Sequence, residues 1–277
     1  MNKYKNILSA RQAEEFKANG YLILRAFFNQ AEAAKLYSFA TGDKALGKHS
    51  YGMKDGSGRE SKLALWFNPG NDPFGLMARS ERMAGLVNQL LDGDADVAHY
   101  HSKLMQKEPK VGGAWEWHQD YGYWYRAQFP FPEQMLSVMT ALSPATRENG
   151  CLQVIKGSHK MGRVDHAHDG NQMGADMNYV HQALEMMEHV FVELDPGDVL
   201  VFHSNLFHRS EANLSDKSRW SFISAYNRVS NVPKLEKSTA CITPMQIVPD
   251  DRLISEDVTH ISEDADFLSV EKDVNIR

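Results

Sequence analysis

Trp117-His118-Gln119-Asp120-Tyr121 is the segment of this chain best equipped for chemistry. In an extended strand residues i and i+2 project to one face, so His118 and Asp120 can hold one ion together. A facial site needs a third ligand. His208 supplies it, directly after the apolar run DVLVFHSNLF, where a strand ends near a turn. Two imidazoles and one carboxylate on one octahedral face leave three positions open, the pattern of non-haem Fe(II) oxygenases, and ligation without thiols disfavours structural zinc. Taken alone, His118 and Asp120 would read as a polar pair on an exposed strand. Ser210 shares the face of His208. Arg219 is expected to return through a short hairpin over ANLSDKS. An Arg fork beside a Ser hydroxyl is a bidentate receptor for a carboxylate. The expected ligand is a small dicarboxylate whose other end chelates the metal.

Other clusters read less sharply. His159, Asp165, His166, His168 and Asp169 follow a strand in a Gly-rich stretch and suggest a solvated loop over the pocket, with His166 as a lid residue. His99 and His101 also stand at i, i+2, but with no third ligand evident they read as ordinary core or edge positions. Trp115, Trp117, Tyr121, Tyr123, Trp124 and Tyr125 form an aromatic belt; alternate members must pack as core, and the others could hold a substrate ammonium by cation–π contact. Arg59, Lys62, Trp66 and Asn68 lie in a stretch punctuated by Gly, Asn and Pro, from Tyr51 to Gly75. It reads as a long loop able to supply anion contacts and close over substrate.

The elements that position these residues follow from periodicity. Ser9 N-caps a helix ARQAEEFKAN that Gly20 stops, YLILRAF (21–27) is a strand, and QAEAAKLYSFA (30–40) and SERMAGLVNQLL (80–91) are helices. After residue 97 short β-rich runs take over: VAHYHSKLM, QMLSVMTAL, CLQVI, HVFVEL, DVLVFH and RWSFISAY, separated by ENG, PGD and NLSD. Helices first and strands afterwards argue against a βαβ parallel sheet. The expectation is an α+β, mainly β fold: a jelly-roll core over about 96–245 behind a helical flank over about 1–95, in one domain spanning 1–277. The acidic end, about 246–277, reads as a solvated tail.

Composition sets the limits. The chain has 277 residues, 42% hydrophobic, with a net charge of −6 and no basic block, so no nucleic-acid surface is expected. Cys151 and Cys241 cannot build a disulfide scaffold. The N-terminal residues lack a signal-peptide core and no apolar run approaches a membrane span, so a cytoplasmic protein acting on a small molecule is expected. Nothing here specifies an oligomeric state.

His118-x-Asp120, ENGCLQVIKGSHKMG (148–162) and PGDVLVFHSNLFHRSEANLSDKSRW (196–220) resemble the phytanoyl-CoA dioxygenase family of Fe(II)/2-oxoglutarate oxygenases, over about Tyr21 to Asn227. The resemblance implies a double-stranded β-helix (jelly roll, cupin-like) with His118, Asp120 and His208 on iron, and with Arg219 and Ser210 on the distal carboxylate of 2-oxoglutarate. Lys103, on the strand before, is a further co-substrate candidate. The family pattern often places Trp on the strand after HxD; this chain has Met139 there, and no stacking residue is assigned. The implied co-substrates are 2-oxoglutarate and O2, and the implied products are succinate, CO2 and a hydroxylated substrate. Related halogenases lack the carboxylate ligand, so Asp120 favours hydroxylation. Family substrates include acyl-CoA thioesters, ectoine and aminophosphonates. The absence of a basic patch argues against CoA and for a small polar or zwitterionic metabolite, such as an aminoalkylphosphonate held by the aromatic belt and by Arg59 or Lys62. Two rivals stand beside this reading: a zinc-dependent cupin-like hydrolase or isomerase, which gives Ser210 and Arg219 no role, and a catalytically silent binding module of the same fold.

Overall fold

The computed structural model describes residues 3–42, 44–169, 172–234, 242–261 and 265–268. Cys241, the rest of the acidic end and the side chain of Asp169 lie outside the described residues. The first part runs α1 (Ala10–Asn19), β1 (Tyr21–Leu24), α2 (Gln30–Gly42), α3 (Lys44–His49), β2 (Tyr51–Lys54), β3 (Glu60–Trp66), α4 (Pro73–Ala78) and α5 (Glu81–Leu90). Then come β4 (Val97–Lys107), β5 (Trp115–His118), α6 (Asp120–Trp124), β6 (Met135–Ala141), β7 (Leu152–Ile155), β8 (His166–Asp169), β9 (Gln172–Ala175) and α7 (Met177–Met186). The last part holds β10 (His189–Val192), β11 (Val199–His203), β12 (His208–Ser210), β13 (Arg219–Arg228), β14 (Thr243–Pro244) and α8 (Arg252–Ser255).

The local rules hold where the sequence states them. Ser9 and Gln12 form a capping box at the start of α1, and Gly20 ends it in the left-handed region at φ 77°. Two antiparallel sheets form the core. The larger has the order β1-β11-β6-β13-β4-β3-β2, with β14 on β4, and the smaller has β10-β7-β12-β5. This is the expected α+β, mainly antiparallel jelly roll.

The pleat divides the larger sheet between two tasks. On one face Trp66, Leu104, Val138, Val201, Phe222 and Tyr226 pack under α1, α2, α4 and α5 with Phe16, Leu36, Phe74 and Leu86. On the other, Met139, Ala141, Leu200, Phe202 and Ile223 face Leu152 and Val154 of the smaller sheet. Alternate residues of one strand thus serve two cores.

Four expectations need correction. The stretch from Tyr51 to Gly75 is a hairpin, β2 against β3, followed by the start of α4. It reads as a loop because β3 is apolar on both faces and so lacks alternation. The Arg219 segment does not return by a hairpin: β12 pairs with β5 and β7, whereas β13 pairs with β4 and β6, so ANLSDKS crosses between sheets. The region around His166 and His168 is the strand pair β8–β9 and not a loop. The described part of the acidic end is not a solvated tail, since Leu253, Ile261 and Ala265 enter the helix-covered core and Phe267 bridges to Trp66. Among the described residues no helix is long and apolar enough to cross a membrane.

Candidate active site

β5 ends at His118, Gln119 stays extended at φ −115° and ψ 136°, and Asp120 opens α6. The pair therefore keeps the same-face geometry of a strand for two residues and then turns away. β12 runs antiparallel to β5 with His208 opposite His118, their ring centroids 4.0 Å apart. One ligand atom each from His118, Asp120 and His208 lies within 4.8 Å of the others, and His208 Nε2 stands 3.9 Å from Asp120 Oδ1.

The donors fit a metal. His118 Nδ1 donates to the Glu116 carbonyl at 2.6 Å and His208 Nδ1 donates to the Leu206 carbonyl at 3.0 Å. Each bond fixes the tautomer that leaves an Nε2 lone pair for an ion. The Ser137 hydroxyl donates to Asp120 Oδ2 at 2.5 Å. Burial lowers both histidines' pKa values, so the rings are neutral. Burial opposes ionisation of Asp120, but the charges around it, Lys103 foremost, and the Ser137 bond win, and its carboxyl titrates below the usual range. Neutral nitrogens with one carboxylate suit Fe(II). Cys151, buried nearby, is pushed up to about 11 by burial and stays a thiol.

A second polar group lies along β12 and β13. Arg219 is 4% exposed; its Nη1 donates to the Gly150 carbonyl, and its buried Nε has no partner among the described residues. Burial lowers its pKa to about 10, so it remains a cation at neutral pH. Lys107, which the sequence reading missed, sits opposite Arg219 in the β4–β13 register. Its ammonium donates to Ser210 Oγ at 2.8 Å and to the Glu211 carbonyl. Burial, then the charge of Arg219, drives its pKa well below the ordinary lysine value. The only advance signal for Lys107 was its place four residues after Lys103, on the same strand face. An unpaired guanidinium edge beside a hydroxyl fits the distal carboxylate of 2-oxoglutarate.

The cavity between the sheets holds both groups. Its lining includes His118, Asp120, His208, Ser210, Arg219, Lys103, Met139, Tyr123 and Trp124, with His101, Tyr100, Trp115 and the apolar wall Tyr51, Met53, Leu63, Leu65 and Phe67. His101 is thus a cavity residue and not only a core position. Tyr123 sets its ring edge-on to His118 at 5.6 Å and donates its hydroxyl to the Met173 carbonyl.

Several expected substrate contacts lie elsewhere. Arg59 is exposed in the turn joining β2 and β3. Lys62 pairs with Glu108 at 2.7 Å on the outer surface. Trp66 is fully buried on the helix side of the sheet, against Phe74, Phe222 and Phe267. Asn68 donates its backbone N–H to the Ala265 carbonyl. A hairpin at a sheet edge sends alternate residues outward, so Tyr51, Met53, Leu63 and Leu65 of the hairpin reach the cavity, with Phe67 just beyond it. Tyr121, itself on α6, packs in the cluster of Tyr100, Trp124 and Phe129 and donates to the Phe129 carbonyl. Within the second His/Asp cluster, His159 stands by His203 and the Lys17 carbonyl, Asp165 pairs with Arg163, and His168 is exposed. Among the described side chains of this cluster His166 alone approaches the site, 6.4 Å from Tyr123 between ring centroids and bonded to Gln119.

Comparison with known proteins agrees with this geometry. The family model of phytanoyl-CoA dioxygenase matches residues 16–221. The L-proline trans-4-hydroxylase of Streptomyces griseoviridis is 30% identical over 174 residues, 57% of this chain and 63% of that protein, so the match spans less than two thirds of its length. The ectoine dioxygenase of Sphingopyxis alaskensis is 28% identical over 244 residues, 83% of this chain and 78% of that protein. The crystal structure of EctD from S. alaskensis with bound Fe superposes with a TM-score of 0.70 at 25% identity, covering 84% of this chain and 81% of that one. With the match over most of its length and a His–Asp–His group that fits iron, the chain belongs to the phytanoyl-CoA dioxygenase family of Fe(II)- and 2-oxoglutarate-dependent oxygenases.

Proposed function

We propose that this chain, acting as one catalytic domain, hydroxylates an unactivated C–H bond of a small polar or zwitterionic metabolite and releases succinate and CO2. The observation that carries the reading is the joint placement of His118, Asp120 and His208 at one point of the cavity and Arg219 with Ser210 at another. The first set holds Fe(II) and the second holds the distal carboxylate of 2-oxoglutarate. When bound, iron supplies the oxidising chemistry that couples decarboxylation of 2-oxoglutarate by O2 to C–H hydroxylation.

The protein's own part is geometric. The carbonyls of Glu116 and Leu206 orient the two imidazoles, and Ser137 orients Asp120. Lys107 holds the Ser210 hydroxyl from behind. Tyr123 and Trp124, with the apolar edge of the β2–β3 hairpin, keep bulk water from the reacting carbon.

Two of the relatives are named for small cyclic metabolites, proline and ectoine, which supports a substrate of that size. An aminoalkylphosphonate remains the specific candidate, its ammonium against Tyr100, Tyr123 or Trp124 and its anion on a cavity cation other than Arg59 or Lys62. A buried thiol at Cys151 is in keeping with a cytoplasmic setting. The zinc hydrolase gives the buried Arg219 edge nothing to bind, and a silent module would usually have lost a metal ligand or the Arg, both of which are present.

Anaerobic reconstitution with Fe(II) and 2-oxoglutarate tests the reading. A weak visible charge-transfer band is expected in the wild type; it is lost in His118→Ala and needs more 2-oxoglutarate to appear in Arg219→Ala. A wild type that binds iron without the band contradicts it. Succinate formation stimulated by 2-aminoethylphosphonate or its N-methylated analogues tests the specific substrate.

A further inference from the structure

The cavity has two cationic ends. Arg219 lies opposite Lys107 across the β13–β4 ladder, whereas Lys103 lies opposite Ile223. Four residues of strand separate Lys103 from Lys107, about 13 Å along β4. The electrostatic neighbours divide in the same way. Arg219 acts on Lys107 and Cys151, while Lys103 acts on Asp120, His208 and His101. Lys103 therefore stands at the metal end, away from the receptor for the distal carboxylate of 2-oxoglutarate.

Its charge is also unanswered. Lys103 lines the cavity, is half-buried and makes no ion pair among the described residues. Among the described residues Asp120 is the only acid in the cavity lining, and the proposed reading commits it to iron. Among the groups that line the cavity, which exclude the Lys107 held behind Ser210, Fe(II) and the 2-oxoglutarate dianion cancel, and Asp120 offsets Arg219. Lys103 then leaves one positive charge in a cavity whose remaining walls are largely apolar and aromatic. A partly desolvated cation beside such walls selects a ligand of opposite charge.

We propose that Lys103 is the specificity residue of this site, reading a carboxylate or phosphonate on the substrate and so selecting compounds with net negative charge. This rests on the oxygenase reading and moves Lys103 from the co-substrate to the substrate. Tyr100 and His101 precede it on β4 and also line the cavity, and Trp124 packs edge-on to both of their rings, at 5.6 and 5.8 Å. The substrate's apolar body lies against Leu65 and Phe67, and an ammonium, where present, lies against Tyr123 or Trp124.

The test uses the Fe(II)- and 2-oxoglutarate-loaded protein under anaerobic conditions, with three probes of matched shape: propylphosphonate, butanoate and butylammonium. The readout is the shift of the charge-transfer band on titration. The two anions are expected to perturb the wild-type band, and butylammonium is not. In Lys103→Met the anions should weaken about tenfold or more, while 2-oxoglutarate affinity and the melting temperature hold. Lys103→Arg should restore much of the anion response. A loss of 2-oxoglutarate affinity in Lys103→Met returns the residue to the co-substrate and overturns the proposal. Equal response to anions and cation, no response to either anion, or unchanged anion binding in the variant also overturns it. If the wild type shows no band with 2-oxoglutarate alone, the oxygenase reading itself fails, a distinct result.

Discussion

The backbone N–H of Gln119, the residue between His118 and Asp120, donates to Nε2 of His166 at 2.9 Å. His166 Nδ1 donates in turn to the Val164 carbonyl at 2.9 Å, which makes the ring a neutral acceptor. The Gln119 side chain adds bonds to Gly162, Asn205 and Val164. Gly122 of α6 lies so near that a Cβ there would stand 2.3 Å from the His166 ring. Two proposed ligands thus flank a residue clamped on every side.

His166→Ala should therefore lower Fe(II) affinity without removing a ligand. Loss of an orienting partner around a metal site costs about 10- to 100-fold in affinity. Gly122→Ala should act in the same direction by displacing the ring. Iron titration of the apoprotein, followed by the charge-transfer band, measures both; unchanged affinity in both variants removes His166 from the positioning scheme.

Arg219→Ala should weaken 2-oxoglutarate by about 10- to 100-fold, the cost of losing a charge-assisted bond. Lys107→Met should weaken it less, because Ser210 loses its donor while the guanidinium remains. Lys107→Met also strands the Glu211 carbonyl and should cost about 1 to 3 kcal/mol of stability. Titration of 2-oxoglutarate beside chemical denaturation separates the two effects.

Acid should destabilise the apoprotein through buried histidines. Burial pushes His99 down to about 3 and His166 and His203 to about 4, against 6.5 for a free ring. Between about pH 4 and 6.5 the unfolded chain therefore binds more protons than the folded one, so stability rises with pH through that window. Unfolding at pH 5 should take up about three protons from these rings. The slope of unfolding free energy against pH measures this, and a flat slope contradicts it.

Trp66→Ala should act on stability and not on specificity. The ring is fully buried, with Phe222 and Phe267 within 5.8 Å. Its truncation should cost about 3 to 5 kcal/mol. Per folded molecule, 2-oxoglutarate binding should hold; a selective loss of that binding would return Trp66 to the cavity.

The sequence made the metal ligands legible because short-range spacing carries them: His118 and Asp120 stand two apart, and His208 follows a strand that ends in a turn. Lys107 was not legible, since its role comes from register, as the partner of Arg219 across two strands. The β2–β3 hairpin was masked by its punctuation and by a strand apolar on both faces. The tail was masked by its acids, which outnumber the few anchors, Leu253, Ile261 and Ala265, that fix it. Helix signals are local and survived; sheet order is set by distant pairings that periodicity does not encode.

The pleat of β13 separates two selective pressures that most active sites confound. Arg219, Ser221 and Ile223 meet whatever enters the cavity, while Phe222 and Tyr226 pack in the helix-covered core. Substrate preference can thus drift at one parity of the strand while the other parity keeps the fold standing. Relatives that have diverged in substrate should differ first at cavity-facing positions such as Ser221, with Arg219 kept for the shared co-substrate.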